Sequence, residues 1–345
     1  MKKILGILFT LTLTINNFNA QKTNSSQDSI RVFYDELFSV MKKGYLYKDK
    51  VNWLEIEPTV RKNLNQYSNF QSSLKEVALI FDFAKANHSG VYYKKAKFSG
   101  NFEGPSKNDF SEQWVKKYSA KPAFEATVLD NQYGYILMPA ISYEGINKEN
   151  IHKRSQPMYD AINKIKNSQD IKGWIIDLRF NTGGDCAPML LALYDFLGDN
   201  EVWGTLDINK KQNSRIKLSK GTYINNSKKL SYIQPKGEVL DKTKVAVITN
   251  LATGSSGEIT ALAFKGRENT IFIGEKTNGK TTSNMIVDLP FGAYMTLTIG
   301  YDCDRNGKFY ESILPDVEII KQDNFDNLSL DKNILEAVKF ITNKG

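Results

Sequence analysis

Two apolar, β-branched runs constrain this chain most, because each ends in a turn of small residues and is followed by a helical pattern. Gly173–Leu178 runs into Arg179-Phe180-Asn181-Thr182-Gly183-Gly184-Asp185, and a helix is expected over about 188–197. Val245–Thr249 runs into Thr253-Gly254-Ser255-Ser256-Gly257-Glu258, after which Ile259, Leu262, Ala263 and Phe264 recur at helical spacing. Repeated strand–turn–helix units require an α/β layer built on a largely parallel sheet. A serine at such a turn keeps its Oγ outside the packing, and the first N–H groups of the helix are free to hold an oxyanion. Read alone, the same serine is equally an N-cap, and Gly183-Gly184 equally a turn that needs glycine dihedrals. The glycines make neither a dinucleotide fingerprint nor a P-loop, since G-x-G-x-x-G and Gly-Lys-Ser/Thr are both missing.

Before this core the pattern is helical. Helices are expected at Ser29–Lys43, at Trp53–Leu64 with an interruption at Pro58, and at about 72–86, stopping at Asn87-His88-Ser89-Gly90. Residues 22–120 therefore read as a mostly helical N-terminal cap region, and 121–345 as the catalytic domain. Within the second part we expect strands at 124–129 and 134–138, a helix at 147–167, a hairpin-rich insertion at 201–238 and two strands around Pro290. A closing helix is expected at 331–342.

Residues 1–20 read as a secretory signal: Lys2 and Lys3, an apolar run from Ile4 to Ile15, and Ala20 before the cut. That run is too short and Thr-rich for a stable membrane span, so the expected location is periplasmic or extracellular. Removing it lowers the formal net charge from +8 to +6. The remaining lysines are scattered, without the basic stripe and stacking aromatics of a nucleic-acid binder. Cys186 and Cys303 are too few for a disulfide framework, though two cysteines in an oxidising compartment can pair. No Cys/His cluster has metal-ligand spacing, so neither a metal nor a cofactor is expected. The histidines are two, His88 and His152, the latter in a basic helical stretch that reads as exposed.

Together the motifs resemble the tail-specific (C-terminal-processing) serine peptidase family. The matching stretches are Tyr133-Gly134-Tyr135-Ile136, Asp177 to Gly184, Thr253 to Glu258, Gly274-Glu275-Lys276-Thr277-Asn278-Gly279-Lys280, and Ile313-Leu314-Pro315-Asp316-Val317, in the family's order. The resemblance covers about 121–320 and implies a crotonase-like layered β/α core, acting on protein or peptide substrates. It places the nucleophile on Ser255 and the oxyanion donors on the amides of Gly184 and Ser256. Ser256 is also a capping serine by type. Two bases are in view. One branch of the family uses a lysine 25 residues after the serine, which here is Lys280. The tricorn-like branch uses an N-terminal histidine and a late glutamate, which would be His88 in His88-Ser89-Gly90-Val91-Tyr92-Tyr93 and Glu311.

A lysine base needs its pKa driven far below about 10.4, whereas an unperturbed imidazole already suits neutral pH. We therefore take His88 as base and Glu311 as the residue that orients it, with Lys280 as the alternative. Many processing peptidases also carry a PDZ domain before the core; the roughly thirty residues at 94–123 are too few for its ~80–100. The rival readings are a Ser255/Lys280 peptidase, an exported binding or scaffold protein that has lost activity, and an acyl-thioester enzyme, which export disfavours. Oligomeric state and natural substrate are not legible in the sequence.

Overall fold

A computed structural model describes residues 26–142 and 147–343; the signal-like segment 1–20 lies outside them. The helical start is α1 (Ser26–Gly44), α2 (Trp53–Leu64), α3 (Phe70–Ser73) and α4 (Val77–Ala84). Pro58 does not interrupt α2, which runs through it although Pro58 has no N–H to give the Leu54 carbonyl one turn back. The third expected helix is instead broken into α3, a 3-10 turn and α4. Then come β1 (Gly90–Tyr93), β2 (Ala96–Phe98), α5 (Glu112–Ser119), β3 (Glu125–Leu129) and β4 (Tyr133–Leu137). The chain continues through α6 (Lys148–Lys166), β5 (Gly173–Asp177), α7 (Cys186–Ala192), α8 (Tyr194–Leu197) and β6 (Glu201–Leu206). The hairpin strands β7 (Gln212–Ser219), β8 (Thr222–Asn225) and β9 (Lys228–Tyr232) follow, then β10 (Val245–Thr249), α9 (Ser256–Leu262) and β11 (Thr270–Gly274). Last are β12 (Thr282–Leu289), β13 (Ala293–Asp304), β14 (Val317–Glu318) and α10 (Lys332–Thr342).

The expected parallel sheet is six strands in the order β14-β11-β10-β5-β4-β3, parallel except for the β3–β4 hairpin. Its central strands are buried on both faces, which is why they read as continuous apolar runs. Alternate residues face opposite ways. Trp174, Ile176, Val245 and Val247 pack with α6, α7 and α9, while Ile175, Ala246 and Ile248 pack with Trp114 of α5 and Ile334 and Ala337 of α10.

A second, antiparallel sheet runs β2-β1-β13-β6-β7-β8-β9, with β12 also paired to β13. Its β12–β13 portion is the floor of the N-terminal helices: Leu289, Ala293, Met295 and Leu297 share a core with Phe33, Leu37, Val77 and Phe81. The segment just before β1 is thereby fixed against β12 and β13, since Gly90 pairs with Thr296. That pairing brings residue 88 to the residues that follow β10.

One charged cluster ties α5, β5 and the chain's end together. The Arg179 guanidinium, 1% exposed, bonds Asp177 (2.6–3.1 Å), Asp323 (2.6 Å) and Asp331 (2.8 Å). Asp331 caps α10, and the Arg179 carbonyl accepts from Trp114 Nε1 at 2.9 Å. Removing the cation strands three buried carboxylates, so Arg179→Ala is expected to lose about 3–5 kcal/mol in denaturant unfolding. A loss below about 1 kcal/mol, the range of surface pairs, would contradict the cluster's structural role.

Candidate active site

The turn between β10 and α9 holds Ser255 at φ 54°, ψ −118°, a left-handed conformation costly for any residue with a Cβ. Such strain persists only where the surroundings impose it, and they do. The Ser255 N–H donates to Glu258 Oε2 (3.0 Å), the Gly254 N–H to the Asn181 carbonyl (3.0 Å), and Thr253 Oγ1 to the Leu178 carbonyl (2.9 Å). Gly257 lets α9 begin this close to the neighbouring turn, since a Cβ there would sit 2.3 Å from the Asn181 carbonyl.

Glu258 is fully buried and gathers four donors: the amides of Ser255, Gly279 (2.8 Å) and Lys280 (2.8 Å), and Thr277 Oγ1 (2.5 Å). Burial raises its pKa, while those donors pull the other way. The sequence motif contains Glu258 but assigns it no task. Its signal was the Ser255-x-x-Glu258 spacing of a capping box.

The two residues expected to supply the oxyanion donors touch across the turn. Gly184 has φ +108°, and a Cβ there would meet the Ile141 carbonyl at 1.8 Å, so only glycine fits. The Ser256 amide is the first N–H of α9, a position without an intrahelical acceptor. Ser256 Oγ is not a cap, as its type had implied. It donates to the Gly184 carbonyl at 2.7 Å and ties the two loops together, while Ser255 takes the N-cap position.

His88 meets Ser255 across 167 residues of chain, with Nε2 3.1 Å from Oγ. Nδ1 lies 2.7 Å from Thr282 Oγ1, and Asn284 Nδ2 donates to the His88 carbonyl at 3.0 Å. Both partners come from the start of β12, next to an irregularity in its pairing with β13 at Ser283/Asn284. Such bulges re-aim side chains. The imidazole pKa is pushed down to about 3, first by burial and then by the charges of Lys280 and Lys97, against a hydrogen bond to the Thr282 backbone. Burial and the two cations thus favour the neutral ring.

Glu311, expected as the orienting acid, makes no contact with His88 among the described residues. Its side chain is exposed, its charge acts on Tyr47 and Lys210, and its carbonyl accepts from Thr281 Oγ1 at 3.2 Å. Thr282 occupies the place it was expected to fill. Lys280 is half-buried, with its pKa lowered by burial and by Lys97, and its Nζ has no hydrogen-bond partner among the described residues, Ser255 Oγ included. His152 is half-buried, not exposed: it stacks on Tyr232 at 4.3 Å and bonds the Tyr232 carbonyl. Both cysteines are free, and no cluster of metal ligands occurs among the described residues.

The depressed imidazole has a stability consequence. In the unfolded chain His88 titrates near its ordinary 6.5, so protons bind the unfolded state more tightly. Its contribution is present above that value and is lost as pH falls from about 6.5 toward 3. In thermal unfolding across this window, His88→Gln is expected to lose stability less steeply than the wild type; parallel curves would contradict a buried neutral ring.

A model of peptidase family S41 matches residues 132–319, more than half of the chain's 345 residues. A nisin-resistance protein of Lactococcus lactis subsp. lactis is 26% identical over 284 residues, covering 79% of this chain and 78% of that protein. A solved structure described as a lipoprotein from Streptococcus agalactiae superposes with a TM-score of 0.62 at 25% identity, covering 91% of this chain and 95% of that one. A putative peptidase from Parabacteroides merdae shares the fold, with a TM-score of 0.55 at 17% identity and coverage of 93% and 98%. The chain belongs to peptidase family S41 and is a serine peptidase.

Proposed function

We propose that this chain is an exported serine endopeptidase that works through a Ser255 acyl-enzyme with His88 as its base. One observation carries the reading: His88 Nε2 lies 3.1 Å from Ser255 Oγ while Nδ1 is engaged by Thr282 at 2.7 Å. With the Nδ1 proton donated to Thr282, the Nε2 lone pair faces the serine hydroxyl. His88 takes the hydroxyl proton as Oγ attacks the peptide carbonyl, then returns it to the leaving amine. The amides of Gly184 and Ser256 hold the oxyanion, and water releases the acyl group with His88 again as base. Lys280 acts through its charge, keeping His88 unprotonated, and not as a base. This is the histidine-dependent form of the chemistry, and the short segment between β2 and β3, one 3-10 turn and α5, supports a reading in which no PDZ domain is placed there.

Export is supported by the Lys2-Lys3 and Ile4–Ile15 pattern and by relatives described as a lipoprotein and as a nisin-resistance protein. Among the described residues no helix is long and apolar enough to cross a membrane. Nisin is the first peptide to offer, followed by a broad peptide panel.

Ser255→Ala is expected to abolish hydrolysis with the fold intact, and His88→Ala to lower kcat by about 10²–10⁴-fold. Lys280→Met is expected to keep most of kcat and to move the acid limb of the rate profile to higher pH, since a cation beside His88 is gone. If Lys280→Met is dead and His88→Ala is active, the base is the lysine. If Ser255→Ala retains full activity, the nucleophile lies elsewhere.

Thr282→Val removes the hydroxyl that holds the His88 ring at Nδ1 and leaves the Thr282 backbone in place, and kcat is expected to fall about 10–100-fold with KM little changed, while Thr282→Ser restores it. Equal losses in Val and Ser variants would contradict an orienting hydroxyl.

A further inference from the structure

A cavity of about 300 Å³ opens beside the catalytic turn, and the Ser255–His88 chemistry does not use it. One wall is α5 with the segment leading into it: Phe110, Trp114, Val115 and Tyr118. The opposite wall contains Gly254, directly before Ser255, and Thr182, two residues before the oxyanion glycine Gly184. Asn278 and Lys280 close the side toward the Glu258 clamp.

The helix wall is built, not incidental. Trp114 and Tyr118 are four residues apart on α5 and share a face, and Phe110, extended just before the helix, stacks on Trp114. Their rings stack in a ladder, with centroids 3.9 Å apart for Phe110–Trp114 and 4.6 Å apart for Trp114–Tyr118. Trp114 is pinned from behind by its Nε1 bond to the Arg179 carbonyl and by stacking on Phe180 at 5.5 Å. Tyr118, by contrast, is 44% exposed at the rim. A rigid aromatic face that remains partly open next to a nucleophile has apolar surface left to cover.

We propose that this cavity is the specificity pocket of the enzyme, taking one large apolar side chain, aromatic or long aliphatic, of the peptide substrate. The proposal rests on the Ser255 reading and deepens it. The occupant belongs to the substrate because residues flanking both the nucleophile and the oxyanion glycine form the far wall. A side chain in the cavity therefore sits within a residue or two of the scissile bond. Burying it against the ladder fixes the register of the peptide and places the carbonyl between Ser255 and the amides of Gly184 and Ser256. The aromatic ladder gives an apolar side chain the larger contact area, while Lys107, Thr182, Asn278 and Lys280 make up a polar part of the lining.

Two variants on this half-exposed helix face test it with opposite signs. Val115→Trp fills the cavity, and Tyr118→Ala opens its rim. With a fluorogenic peptide series varied at each position through Phe, Leu, Ala, Lys and Asp, the wild type is expected to show one position that selects Phe and Leu. Val115→Trp is expected to lower kcat/KM for the Phe peptide about tenfold or more and to shift that position toward Ala. Tyr118→Ala is expected to weaken selection for Phe at the same position only. An equal fall for all five residues, or an unchanged profile in Val115→Trp with an unchanged melting temperature, overturns the proposal.

A second arm separates this from the nucleophile assignment. Fluorescein-labelled peptides of the same series are titrated into Ser255→Ala by anisotropy, where no turnover is needed. Tighter binding of the Phe and Leu peptides that Val115→Trp removes in the Ser255→Ala background supports the pocket, whatever residue proves to be the nucleophile. No difference among the five peptides overturns it.

Discussion

The site depends on one buried carboxylate. Glu258 receives the amide of the strained serine and the amides and hydroxyl of the Gly274–Lys280 loop, so a single acidic group holds the nucleophile's backbone in a conformation it would not adopt alone. A charge in this position is costly unless hydrogen-bonded, and here four donors reach it. Those donors belong to two separate loops, which meet at the carboxylate. The turn, the loop and the first residues of β12 are thereby placed as a unit, and Thr282 follows two residues after the last of the amides Glu258 holds.

The second constraint is the antiparallel sheet. His88 stands at the end of the helical region and is carried to Ser255 by β1 pairing with β13, while Asn284 fastens its carbonyl and Thr282 its ring. The N-terminal helices pack on the outer part of the same hairpin, at Leu289 to Leu297, and so steady the base from behind. Burial then serves chemistry as well as stability. It removes water from the ring and, with Lys280 and Lys97, keeps the ring unprotonated and able to accept a proton. The lysine that the motif offered as a rival base acts on the histidine by its field.

What could be read from the sequence follows the range of the interactions. The strands β5 and β10, their turns, the serine and the glycine pair were legible because strand period, turn chemistry and helix start are local signals. A largely parallel sheet followed from them, but not its edge strand β14, two residues long and without a pattern of its own. The antiparallel sheet was visible only as unassigned hairpins, because its assembly through β13, β6 and β1 depends on pairings between segments roughly 100–200 residues apart, which no local period records. Thr282 was missed for the same reason: its role comes from a bulged register opposite a distant histidine. Glu311 was expected from its place before Ile313-Leu314-Pro315-Asp316, but its backbone is held by Thr281 with the side chain turned outward, and proximity in sequence did not become proximity in space. The ladder of α5 was present as Phe110, Trp114 and Tyr118 at four-residue spacing, and it read only as a short amphipathic segment near Trp114.

The central claim is that Ser255 is the nucleophile and that His88 activates it. Intact-mass and peptide-level mass spectrometry after exposure to a peptidyl phosphonate ester measures this most directly. A single adduct on Ser255 is predicted, forming at similar rates in the wild type and Lys280→Met and far more slowly in His88→Ala. An adduct on another residue, or one whose rate depends on Lys280 and is indifferent to His88, would contradict it.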